Sequence, residues 1–171
     1  NSAGEDAVGF NQGKNLLVLI ESHGKALDNA NNALSMVQTA QGGVNQLPDI
    51  LAKMRNLAVQ AQNSALNNTE RADLNTQFQA LMLSIDEIAN STMYNGKQLI
   101  NQVASYTFQI GITTVAADST LTVTTADMNT NVIGGTGGGA NTLSIQVLTS
   151  NVGNATSAVN SIDRALPEIA A

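Results

Sequence analysis

Asp86 and Glu87 are the first residues to weigh for chemistry. Paired carboxylates can divide general acid and base work when they face one another. These two are adjacent in sequence, and adjacent residues on a helix point in different directions, so the pair reads as a solvated face. His23 is the only histidine, and the protein has no cysteine. With no second histidine and no carboxylate at ligand spacing, no metal site is expected, and His23 reads as a structural residue, packed or at an edge. The glycine-rich stretch 134–141 is not a phosphate loop, because no Lys-Ser/Thr follows it and no buried strand clearly precedes it. Three Asn-x-Thr sequons begin at Asn67, Asn90 and Asn154; such triplets arise by chance in an Asn-rich sequence. No nucleophile, base and orienter come together, so the sequence predicts no catalytic residue, no cofactor and no enzyme.

Composition narrows the partners. The formal net charge is −6, and only seven Lys and Arg are scattered through 171 residues. Binding by phosphate neutralisation needs a basic patch, so nucleic acid and anionic membrane are poor partners. No apolar run approaches the roughly 20 residues of a membrane-spanning helix. No basic segment followed by an apolar one marks a secretory signal at the start. Hydrophobic residues make up 43% of the chain, aromatics only 3%, and Trp is absent. A core built from Ala, Val, Ile, Leu and Met suits closely spaced helices better than a large ligand cavity.

The elements that would position any site follow from periodicity. Ser2 and Glu5 fit a capping box. A seam then runs through Leu16, Leu19, His23, Ala26, Ala30, Ala33, Val37, Ala40, Val44, Leu47, Leu51, Met54, Ala58 and Ala61. Its strict alternation of three and four is the repeat of a coiled-coil-like contact line. A second line through Ile20, Leu27 and Leu34 predicts two neighbours for this helix. A helix over about 5–62 would be roughly 85 Å long. Gly42, Gly43 and Pro48 disfavour helix while the seam continues through them, which predicts a kink near 44–48. A second helix over about 69–92 is capped by Asn67 or Asn68 and carries Leu74, Phe78, Leu81, Ile85 and Ile88. Residues 94–97 are a turn signal.

The period then changes to two. Tyr106, Phe108, Ile110 and Ile112 alternate with polar residues and glycine, as in a half-buried strand. Residues 121–125 are the expected hairpin partner, residues 134–141 a connector, and 143–148 a further strand, giving a β-hairpin region over about 103–148. A last helix over about 151–171 repeats the seam through Val152, Ala155, Val159, Ile162, Leu166 and Ile169, with Pro167 out of place. Three such seams predict an elongated, left-handed bundle, mainly α with a small β part, in a single domain over 1–171 with the hairpins at one end.

The same residues resemble bacterial flagellin. Residues 1–9 (NSAGEDAVG) resemble the segment usually written NSAxDDAAG, and 36–45 (MVQTAQGGVN) resemble xxQTAEGALN. Residues 54–60 (MRNLAVQ) are similar to VRELAVQ, 85–90 (IDEIAN) to EIDRIA, and 94–99 (YNGKQL) to FNGKKLL. Residues 108–111, 126–128 and 161–166 match three later signatures in the same order. The resemblance implies two long antiparallel helices, a shorter one and β-hairpins on one rod. It implies a structural subunit that is exported through the flagellar channel and packs side by side into the wall of the extracellular filament for swimming. The family's terminal polymerisation helices and outer variable domain have no counterpart in this sequence. The protein therefore resembles a rod-like core that stays monomeric by itself.

The resemblance also implies a face for a Toll-like innate receptor. The family pattern there is Arg, Leu four residues on, Gln three further, and Glu on the next helix. The matching positions are Lys53, Leu57, Gln60 and Gln77. Lys for Arg loses a planar fork and Gln for Glu loses a charge, so weak recognition is expected. The plainer reading of this patch is a filament-contact surface. Two other functions compete with the filament subunit. One is a hook–filament junction protein, against which residues 95–97 and 108–111 speak. The other is a surface flagellin homologue acting as a receptor- or glycan-binding module, for which 3% aromatics is a poor platform.

Overall fold

The structure is a computed structural model that describes residues 7–113, 119–133 and 152–170. The cap at Ser2 and Glu5, the 134–141 connector and the 143–148 strand lie outside the described residues. Helix α1 spans Ala7–Val44, α2 Leu47–Ala61 and α3 Asn68–Ser91. Two short strands follow, β1 (Met93–Tyr94) and β2 (Lys97–Gln98). A longer pair comes next, β3 (Ala104–Gln109) and β4 (Thr120–Thr125), and α4 spans Val152–Ala170. The fold is mainly α with two small antiparallel hairpins; the periodicity predicts the β3–β4 pair, whereas residues 94–97 are predicted only as a turn.

The protein forms two compact units, Asn1–Val37 with Ser105–Thr124, and Gln38–Ala104 with Thr125–Ala171. In the second unit, the sequence seam becomes the core. Leu47, Leu51, Met54, Ala58 and Ala61 of α2 are all fully buried, together with Phe78 and Ile85 of α3. From α4 the buried line is Ala155, Ala158, Ile162, Ala165 and Ile169. This corrects the seam drawn there: Val159 and Leu166 lie at its margin, half-buried, while Ala158 and Ala165 face inward. Small residues let α4 approach α2 closely. Pro167 sits exposed inside α4, which continues past it.

The expected kink is a two-residue break between α1 and α2. Gln46 stays in the right-handed helical region, with φ −85 and ψ −22. Its amide donates to Gly43 O at 3.2 Å, a tightened turn, and its side-chain amide supplies Gly42 O at 3.0 Å. Pro48 stands in the first turn of α2, where its missing N–H costs little. Asn67 caps α3: its Oδ1 accepts from Glu70 N at 2.9 Å and Glu70 Oε2 accepts from Asn67 N at 2.8 Å.

β1 and β2 pair Met93 with Gln98 and Tyr94 with Lys97 across a two-residue loop. Asn95 and Gly96 both have positive φ, 49 and 75, which is the hairpin turn whose twist matches its strands. Leu99 and Ile100, just beyond, are buried.

In the first unit, hydroxyl pairs Ser105–Thr124 (3.3 Å) and Thr107–Thr122 (3.4 Å) set the facing residues of β3 and β4. Asn29 of α1 donates to Gln109 O at 2.8 Å. Ala26, Ala33 and Met36 are the buried residues on this stretch of α1. Two expectations are corrected here. The alternating strand stops at Gln109, so Ile110 and Ile112 are more than a third exposed. Leu16, Leu19 and His23 are exposed, as are Ile20, Leu27 and Leu34 of the second line. Among the described residues of this unit only the β3–β4 hairpin is present to cover α1.

Candidate functional site

The sequence-matched residues Lys53, Leu57 and Gln60 follow from helix geometry. Spacings of four and three keep them on one face of α2, beside the buried line Leu51, Met54, Ala58 and Ala61. Lys53 and Gln60 are exposed and Leu57 is half-buried against the core.

Helix α3 runs antiparallel to α2. Near the turn, Val59 and Gln60 face Asp73 and Leu74; farther away, Lys53 and Leu57 face Gln77, Leu81 and Ser84. Lys53, Leu57 and Gln77 therefore line one open groove of about 490 Å³, floored by Leu57 and Leu81. Gln60 does not join them; it lines the neighbouring groove with Asn63, Glu70 and Asp73. Both grooves are open surface features between two helices, suited to a protein surface rather than to an enclosed small molecule.

Polar contacts that sequence reasoning missed fix this face. Arg71 is only 5% exposed, yet among the described residues its guanidinium meets no carboxylate. It donates to Ala61 O, the last carbonyl of α2, and at 2.7 Å to Asn63 O in the following turn, which Leu66 N also approaches at 3.3 Å. A cation there also complements the negative end of the helix dipole. The signal existed: Arg71 lies seven residues before Phe78, on the seam.

Arg55 pairs with Asp163 of α4, with Nε–Oδ1 at 2.7 Å and Nη2–Oδ2 at 3.3 Å. Hydrogen bonding to Arg55, with its charge, holds the Asp163 carboxyl below the usual carboxylate range. The same bond raises the Arg55 guanidinium. Asp86 is neither free nor paired with Glu87. Its two oxygens accept from Thr130 N (2.8 Å) and Thr130 Oγ1 (3.0 Å), which anchors the turn leading to buried Ile133. Among the described residues no group of three or more His, Cys, Asp or Glu is placed to hold a metal ion. No described helix is long and apolar enough to cross a membrane.

The family model of the bacterial flagellin N-terminal helical region matches residues 1–105. The protein is 36% identical over 112 residues to flagellin B of Vibrio cholerae, a match spanning 65% of this sequence and 30% of that protein. It is 32% identical over 131 residues to polar flagellin C of Vibrio parahaemolyticus, spanning 70% and 34%. The crystal structure of Bacillus cereus flagellin superimposes with a TM-score of 0.61 at 24% identity, over 82% of this chain and 75% of that one; this similarity speaks to the fold. The sequence thus spans about a third of the length of these curated relatives. A family match over more than half of its length, on a helical fold of the same kind, settles its descent: the chain belongs to the bacterial flagellin family.

Proposed function

We propose that this chain is the helical core of a flagellar filament subunit, a structural and not a catalytic part. It packs side by side with other flagellin subunits into the wall of the extracellular filament that drives swimming. In this reading the subunit reaches the filament through the flagellar export channel. The observation that carries it is the family match over residues 1–105. The exposed apolar residues of α1, among them Leu16, Leu17, Ile20, Leu27 and Leu34, support a role in protein–protein packing. The hook–filament junction protein and the glycan-binding module gain no specific observation.

The test is assembly. The full-length protein containing these residues is expected to elongate sheared filament seeds, followed by light scattering and electron microscopy. Residues 1–171 alone are expected to sediment as a monomer. Seeds that fail to grow would overturn the reading; filaments formed by 1–171 alone would overturn the monomeric state expected of this stretch.

The face at Lys53, Leu57, Gln60 and Gln77 is proposed as the receptor-facing patch, with weak recognition. Lys53 lacks the bidentate fork of arginine and Gln77 the charge of glutamate.

A further inference from the structure

Asn95 is followed by Gly96, and this is the only Asn-Gly step in the 171 residues. We infer that this turn is the protein's site of spontaneous deamidation, and that closure of the β1–β2 hairpin holds the reaction back.

The chemistry needs no enzyme and no co-reactant but water. The backbone nitrogen of the residue after an asparagine attacks Cγ of the asparagine amide. The new N–Cγ bond closes a five-membered succinimide, the bond from Cγ to Nδ2 breaks, and ammonia leaves with the proton. Water then opens either ring C–N bond, giving aspartate or isoaspartate. A side chain on the following residue hinders the attack, so glycine there is the most permissive neighbour. Asparagine is for this reason among the thermolabile residues.

Among the described residues, the asparagines that precede a serine are worse placed. Asn90 and Asn160, each followed by serine, lie inside α3 and α4. The backbone nitrogen after each belongs to a helical residue and is engaged in the ladder, and the Asn90 side-chain amide is also held, donating to Asp86 O at 2.7 Å. Asn63, also before a serine, has its side chain fixed in the turn by the amide of Ala65, which donates to its Oδ1 at 3.0 Å, and serine hinders the attack that glycine permits. Asn95 and Gly96 are both exposed at the tip of a two-residue loop.

The closed hairpin is nevertheless the wrong shape for the attack. Positive φ at both residues marks the tight hairpin turn, and ring closure needs Asn95 to leave its turn conformation. The reaction thus proceeds from molecules in which the loop has opened locally. The products differ in consequence. Aspartate suits this turn as well as asparagine does. Isoaspartate adds one atom to the backbone, so a loop of fixed length can no longer keep Met93 opposite Gln98. The same shift disturbs the bond from Leu99 N to Thr92 O (3.0 Å) and the buried Leu99 and Ile100 behind it.

The experiment incubates the folded protein and the protein in guanidinium at pH 8 and 37 °C and maps peptides by mass spectrometry that distinguishes aspartate from isoaspartate. Asn95 is expected to convert before every other asparagine in both samples, and roughly tenfold or more slowly in the folded one because opening must come first. In Asn95→Gln, where the longer amide would have to form a larger ring and does so far less readily, the earliest signal should vanish. Another asparagine converting first in the folded protein, equal rates folded and unfolded, or an early signal that survives Asn95→Gln would each overturn the inference.

Discussion

Gly43, near the end of α1, lies directly against Thr92, the residue that caps α3. A Cβ built on Gly43 would stand 2.9 Å from Thr92 Cγ2, closer still to Thr92 Oγ1, and 3.0 Å from Ile100 Cδ1. Thr92 cannot swing away freely, because its Oγ1 donates to Ile88 O at 2.7 Å. The neighbouring Gly42 is exposed, and a Cβ there would meet nothing within 4 Å.

The two glycines should therefore respond in opposite directions. Gly43→Ala is expected to cost about 1–3 kcal/mol through overpacking. Gly42→Ala should stabilise by about 0.5–1 kcal/mol, by removing backbone freedom from the unfolded state. Denaturant unfolding of both variants checks this. In a Thr92→Ala background the cost of Gly43→Ala should shrink, and additive effects would refute the contact.

Arg71 should be the costliest polar residue to lose on this face. Arg71→Met removes the guanidinium donors to Ala61 O at the end of α2 and to Asn63 O, which keeps only Leu66 N. The expected loss is about 2 kcal/mol, the scale of hydrogen bonds from a charged group. Faster hydrogen exchange in the last turn of α2 should accompany it. Unchanged stability and exchange would show that water replaces the guanidinium without loss.

Asp163 sets an acid-side dependence. Its folded carboxyl is held below the usual range by Arg55, so the unfolded state takes up its proton first as pH falls. The stabilisation is complete above the ordinary carboxylate value and is lost as pH drops through the depressed folded one. Asp163→Asn should lower the melting temperature slightly at neutral pH, and the difference from the native protein should disappear at the acid end. Both side chains are nearly half exposed, at 43% and 45%, so salt should shrink the difference too. A difference that grows on acidification would have the wrong sign.

Lys53→Arg with Gln77→Glu restores the fork and the charge that the receptor pattern carries. If this face meets the receptor, the double variant should bind about tenfold more tightly, the worth of roughly one charge-assisted hydrogen bond (~1.5 kcal/mol). Titration of the receptor ectodomain measures it. No gain over the native protein would return the patch to filament packing.

How far the sequence could be read depended on the range of the interaction. The seam from Leu47 to Ala61 was visible because helical periodicity is local, and each of its residues is buried. The Asn67 cap and the Asn95-Gly96 turn were visible for the same reason. The seam at Leu16, Leu19 and His23 misled, since a stripe reveals an apolar face and not what covers it. In α4 the large residues Val159 and Leu166 drew the line, while closeness to α2 selected Ala158 and Ala165. The contacts 55–163, 71–61 and 86–130 join separate elements through side chains and leave no spacing to read. Nor could Gly43 be distinguished from Gly42 without knowing that Thr92 lies opposite one of them.

If this protein is part of a flagellar filament, the filament itself must contain it. Filaments sheared from the cells that produce it, washed and digested with trypsin, should yield the peptide Asn56–Arg71 among the most abundant species in mass spectrometry. Finding that peptide in the cell lysate while it is missing from the purified filaments would show that the protein is not a filament subunit.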